Sequence, residues 1–141
     1  MILLDTNVVS ELLRPHPDPS VAVWVAAQNA AASFISAITE AELRLGVALL
    51  PEGKRRTALG AILEDILSED FRGRILPFDS SASSSFARIA AARAKMGRPI
   101  SHPDAQIAAT VLSRGARLAT RNTADFEACG LELINPWAGG H

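Results

Sequence analysis

The chain opens Met1-Ile2-Leu3-Leu4-Asp5-Thr6-Asn7. A short aliphatic run ended by Asp-Thr-Asn is the pattern of a buried strand running into a helix cap. Val8 to Leu13 then reads as a short helix, stopped by Arg14-Pro15-His16-Pro17. Ser20 opens a second helix carrying Val23, Trp24 and Ala27.

The same alternation runs outward along the chain. Ser33 to Ser36 is a second short strand, and Thr39 to Leu50 is a helix. After Pro51 a mixed-charge helix reaches about Asp70, with Leu59, Ile62, Leu63, Ile66 and Leu67 on one side. Arg74 to Phe78 is a third strand. The hydroxyl-rich Ser80 to Ser85 starts an Ala-rich helix that runs to Met96 and stops at Gly97. Pro103 suits the first position of the next helix, Arg117 to Thr120 is a fourth strand, and Glu132 to Ile134 a fifth. Short buried strands alternating with helices require crossovers, which predicts an α/β fold with a parallel sheet between two helical layers. No repeat or interdomain linker breaks residues 1–141, so one domain is expected.

Composition narrows the function classes. The chain has 141 residues, 48% of them apolar and 21% charged, which is globular rather than disordered. Its formal charge of −1 gives no global field for nucleic acid, so any such interaction must rest on local charge. The single cysteine, Cys129, can form neither an internal disulfide nor a zinc site, and the start lacks the basic region of a signal peptide. A cytoplasmic protein is the expectation. Residues 19 to 39 carry no charge, yet Gln28, Asn29 and several hydroxyls interrupt them, so no membrane association is expected.

In parallel sheets ligands gather at the carboxyl ends of the strands. Asp5 follows the first strand; an ordinary N-cap would also explain it. At about 100° per residue, Ala41, Leu45 and Leu49 make the stripe of the Thr39 helix expected to face the sheet. Glu42 lies at its edge and Glu40 points to solvent, although a structural salt bridge would equally account for Glu42. Asp104 sits in a first helical turn, where the helix dipole favours an acid. After the fourth strand come Asn122 and Asp125, readable as a cap and the acid three residues on. Capping does not explain why Asp5, Glu42, Asp104 and Asn122 should share one rim. Convergent carboxylates repel, and a cation would hold them together.

These residues fall in blocks that resemble the PIN-domain nucleases, and within them the VapC-like toxins, most closely the FitB branch. The blocks are Met-Ile-Leu-Leu-Asp-Thr-Asn-Val-Val-Ser-Glu at 1 to 11, Ala-Glu-Leu-Arg-Leu-Gly at 41 to 46, Ile-Leu-Pro-Phe-Asp at 75 to 79, Asp-Ala-Gln-Ile-Ala-Ala at 104 to 109 and Ala-Thr-Arg-Asn at 119 to 122. Asn-Pro-Trp at 135 to 137 completes the likeness. Each block is weak alone, but together they cover the chain in order. The resemblance implies strand order 3-2-1-4-5. It also implies an Mg²⁺- or Mn²⁺-dependent ribonuclease, usually a homodimer, held inactive by a cognate antitoxin. Asp5, Glu42 and Asp104 match the family's first three acids. Asn122 stands at the fourth position, where many relatives carry Asp. On this reading Asp5 and Asp104 ligate the metal directly, while Glu42 binds through water or orients the attacking water. Asn122 holds a coordinated water and Thr6 adds a hydroxyl.

The RNA backbone needs positive charge. Residues 88 to 121 hold seven basic side chains (Arg88, Arg93, Lys95, Arg98, Arg114, Arg117 and Arg121) against Asp104 alone. Of these, Arg98 and Arg121 flank the acid-bearing turns and are the expected substrate contacts. His16, His102 and His141 lack metal-ligand spacing, and only His102, beside Asp104, merits a test. Leu43, Val47 and Leu50 form a second stripe on the Thr39 helix, fit for a partner or for the neighbouring helix. The competing reading is a receiver-like or other regulatory binding module. A receiver needs paired acids after the first strand and a late lysine, whereas Asp5 is alone and the last lysine is Lys95. A haloacid-type phosphatase would need a second Asp where Asn7 stands.

Overall fold

Ile2, Leu3 and Leu4 form strand β1, and the computed structural model buries all three. Ile2 and Leu4 enter one apolar cluster and Leu3 the other, as the two-residue period of a strand requires when both faces are covered. Residues 1–138 are described; His141 lies outside them.

The elements follow in chain order: α1 (Thr6–Leu12), α2 (Pro19–Ala27), β2 (Ser33–Ser36), α3 (Ala37–Ala48), α4 (Lys54–Asp65), β3 (Ile75–Leu76), α5 (Ser80–Lys95), α6 (His102–Ser113), β4 (Arg117–Ala119) and β5 (Leu133–Ile134). All pairings are parallel and the strand order is β3-β2-β1-β4-β5, as expected. Central β1 pairs Leu3 with Phe34 of β2 and with Leu118 of β4. The ladder continues one residue past the strand, where the Asp5 amide donates to Ala119 O at 2.9 Å. One helical layer contributes Val8, Val9, Val21, Leu43 and Leu63 to the core, and the other Ile89, Ile107, Ala108 and Val111.

Several local expectations shift. Helix α2 is capped by Asp18, whose carboxylate accepts the Ser20 amide, so Ser20 is its second residue. Ser36 caps α3 through the Thr39 amide, starting that helix two residues before Thr39. Pro103 is the second residue of α6, behind the Ser101 cap. The charged helix ends in a π-helical turn, Ile66–Asp70, instead of running on regularly. Gly97, at φ +73°, does stop α5, and the Arg98 amide closes the end on Arg93 O.

The face of α3 is the main correction. Leu43 is buried and Val47 packs on the core, whereas Leu45 is 57% and Leu49 75% exposed. The stripe expected to face the sheet therefore looks outward. The reason is that the Leu43–Val47 side of α3 packs on the core and beside α4, which shelters it while leaving a groove between the two helices.

Candidate metal centre

The carboxyl ends of β1 and β4 lie side by side where the chain direction across the sheet reverses, and a pocket of about 490 Å³ opens there. Asp5, Thr6, Asn7, Glu42, Asp104, Arg121 and Asn122 line it, together with Ser10, Glu11, Arg14 and Trp137. Residues from five separate segments thus meet at one rim.

Asp5 is the deepest, at 4% exposure. As N-cap of α1 it takes the Thr6 amide on Oδ1 at 2.8 Å. The buried Thr120 hydroxyl donates to its Oδ2 at 2.8 Å, and Asn7 Nδ2 to the same oxygen at 3.2 Å. Burial nevertheless pushes the Asp5 pKa up to about 6; the hydrogen bonds from Thr120 and Thr6 oppose this, and the charges of Asp104 and Glu42 add to it. Glu42 is half-buried, and its Oε1 accepts the Thr6 hydroxyl at 2.7 Å. Thr6 therefore bridges the first two acids. Asp104, in the first turn of α6, is half-buried and also raised, chiefly by burial; the Ser101 hydroxyl and Arg93 oppose, while Asp125 and Glu42 reinforce.

Asn122 is exposed at the mouth; its amide donates to Thr120 Oγ1 at 3.0 Å, but its side chain makes no capping bond. Asp125 does not line the pocket, though its charge reaches Asp104. Arg121 is at the rim. Arg98 is not, being paired with Glu127 at 3.0 Å. The basic run dissolves in space: Arg93 is buried, Arg114 pairs with Asp79 at 3.6 Å, and Arg117 lies 3.9 Å from Glu132. His102 packs edge-on against Phe86, outside the pocket.

Glu11, Arg14, Asn7, Thr120 and Trp137 escaped the sequence reading. Glu11, 6% exposed, spends its oxygens on Arg14 at 3.1 Å and on the Asp18 amide at 3.0 Å. Those contacts fix the loop that presents Arg14. A glutamate at a helical position four residues before Pro15 gave no hint of this; Asn7, inside the polar trio after β1, did.

The donors at this rim are oxygens, the set suited to a hard divalent cation. Among the described residues no three His, Cys, Asp or Glu side chains close into a ready-made cage. Acids near enough to raise one another, but not closed around a point, fit an ion that keeps several waters and takes few protein ligands.

A parallel sheet in this order with an acidic pocket at its reversal point defines a class, and the chain belongs to it: the PIN domain family model matches residues 2–130. Its relatives include proteins named as toxins and ribonucleases. The chain is 48% identical to VapC ribonuclease Y4jK of Sinorhizobium fredii, over 97% of this chain and 98% of that protein. It is 44% identical to Toxin FitB of Neisseria gonorrhoeae, covering 97% and 99%. The crystal structure of FitAcB from Neisseria gonorrhoeae superposes with a TM-score of 0.91 at 44% identity, covering 97% and 99%. Family membership sets aside the receiver-like and phosphatase readings.

Proposed function

We propose that this chain is a metal-dependent endoribonuclease toxin, restrained by a cognate antitoxin, with residues 1–141 acting as one unit. The observation that carries the reading is Asp5: a carboxylate buried to 4% exposure, with a pKa of about 6, facing two further acids. Burying an acid among acids is costly unless a cation is bound.

Asp5 and Asp104 would hold Mg²⁺ or Mn²⁺. When bound, such an ion makes water nucleophilic near neutral pH and offsets charge on the phosphoryl oxygens. The residues do the rest. Thr120, Asn7 and the Thr6 amide hold Asp5 in one orientation. Thr6 engages Glu42 Oε1, which leaves Oε2 to accept the proton of the attacking water. Asn122, an amide at the fourth position, would offer a hydrogen bond beside the held ion without adding charge. Arg121 at the rim attracts the phosphate.

The antitoxin has a place to act. An apolar groove lined by Leu13, Leu43, Val47, Leu50, Leu59 and Ile62 runs into the pocket through Ser10, Arg14 and Glu42. A partner helix there would carry an arginine to the acids. The exposed Leu45 and Leu49 support a homodimer. No helix among the described residues is long and apolar enough to cross a membrane, and RNA is met in the cytoplasm, where we place the protein.

The test is cleavage of RNA by the wild type with Mg²⁺ or Mn²⁺, abolished by chelator, together with growth arrest on expressing the chain alone. Unimpaired growth with an active enzyme would refute the toxin half; intact cleavage under chelation would refute the metal half.

A further inference from the structure

Trp137 has no part in the reading above. It sits in the pocket on a tight turn, Pro136–Ala138, whose Pro136 is buried and whose Trp137 amide is held by Asn135 Oδ1 at 3.0 Å. One part of the ring packs on the core cluster of β1 and β5, so the indole is fixed before any ligand arrives. The Arg121 guanidinium carbon lies 5.3 Å from the ring centroid.

Arg121 is exposed beside three carboxylates but, among the described residues, makes no ion pair with any of them. Its amide donates to Asn7 Oδ1 at 3.3 Å, which ties its backbone to the metal-ligand segment. A cation needed only to neutralise the acids would turn toward them. This one is held against an aromatic ring instead, leaving its planar N–H edge available.

We propose that Arg121 and Trp137 form a subsite for one unpaired nucleotide next to the hydrolysed phosphodiester. The base stacks on the Arg121–Trp137 pair and the guanidinium edge reaches the nucleotide's phosphate. Guanidinium planes and indole rings both stack on bases, and only unstacked bases of single strands offer a free face. The pocket of about 490 Å³ admits a group of this size. This subsite rests on the nuclease reading, and Trp137 forms part of its stacking surface.

The test uses the full chain in chelator, so that nothing is hydrolysed. Binding of a single-stranded oligoribonucleotide is compared with that of an abasic ribose-phosphate chain of equal length and charge. The wild type is expected to prefer the base-bearing strand by about tenfold, the low end of one stacked base. Trp137→Ala should bring the ratio to about one, Trp137→Phe should retain most of it, and Arg121→Lys, which keeps charge but loses the plane, should fall between. Tryptophan fluorescence should be quenched by the single strand in the wild type and not in Trp137→Phe, where Trp24 is the remaining emitter. Absence of a preference in the wild type, or the same preference in Trp137→Ala, overturns the subsite. Should the ratios behave as expected while no RNA is cleaved after metal is restored, the nuclease reading fails and the subsite stands.

Discussion

The Thr120 hydroxyl donates to Asp5 Oδ2 at 2.8 Å, joining the ends of two adjacent strands 115 residues apart in sequence. The same oxygen of Thr120 also receives the Asn122 amide at 3.0 Å and Asn7 Nδ2 at 3.3 Å. One fully buried hydroxyl thus orients an acid and the turn that bears the fourth site position. Thr120→Val keeps the shape and removes these bonds. It should cost about 1–3 kcal/mol of stability, raise the Asp5 pKa further, and weaken Mn²⁺ binding several-fold. Denaturant melts and calorimetric Mn²⁺ titration check this, and unchanged metal affinity would separate Thr120 from the site.

Asp5→Asn and Asp104→Asn should each abolish metal-dependent RNA cleavage, with a loss of at least about 10²-fold, while circular dichroism stays native. Glu40→Gln should leave cleavage alone. Glu40 is half-exposed and engaged with Arg44 at 3.0 Å on the side of α3 away from the pocket. Loss of cleavage in Glu40→Gln would reverse the assignment of faces on that helix.

The raised Asp5 pKa makes stability depend on pH in a definite direction. Between the unfolded value of 3.8 and the folded value of about 6, the native state binds the extra proton. In chelator the protein should therefore gain stability as pH falls from about 7 toward 4, by up to about 3 kcal/mol from this group, and lose it again as pH rises through 6. Asp104, raised by the same burial, acts with the same sign. Urea midpoints across this range should show the slope in the wild type and a smaller one in Asp5→Asn. Equal slopes would show that Asp5 does not carry the effect. Mn²⁺ affinity should run the opposite way, falling below pH 6 as the acids protonate.

Asn122 lines the pocket and Asp125 does not, although the charge of Asp125 is felt at Asp104. Asn122→Asp should raise Mn²⁺ affinity and, without metal, push the neighbouring carboxylates higher. Asp125→Asn should leave metal stoichiometry unchanged and lower the Asp104 pKa. Calorimetry on both variants distinguishes them: a loss of affinity in Asp125→Asn with none gained in Asn122→Asp would make Asp125 the completing residue.

Arg93, 5% exposed, has no carboxylate partner among the described residues and instead donates to Arg98 O at 2.7 Å, Asp125 O at 2.8 Å and Glu127 O at 3.1 Å. It pins the turn before α6 to the turn after β4. Arg93→Met should cost about 2–4 kcal/mol, because three carbonyls lose their donor. Thermal melts measure this, and a change under about 0.5 kcal/mol would show that water replaces the guanidinium at no cost.

Local pattern was enough for the layers. Ile2-Leu3-Leu4 is apolar on both sides of the pleat, so β1 had to be covered twice, and Gly97 could take the positive φ that ends α5. Asp5 and Asn122 were legible as rim residues because they follow strands, Asp104 because it sits in a first helical turn, and Glu42 because it lies at the edge of an apolar helical stripe. Tertiary structure decided what periodicity leaves degenerate. Helix α3 carries two stripes of similar hydrophobicity, and only packing on the core and beside α4 selects Leu43 and Val47 over Leu45 and Leu49 for burial. Likewise seven basic residues spread over positions 88 to 121 imply nothing about free charge. Folding places Glu127, Asp79 and Glu132 against three of them and buries Arg93, while Trp137, sixteen residues on, holds Arg121 at the acids. Charge and burial are set by distance in space, which residue order alone does not contain.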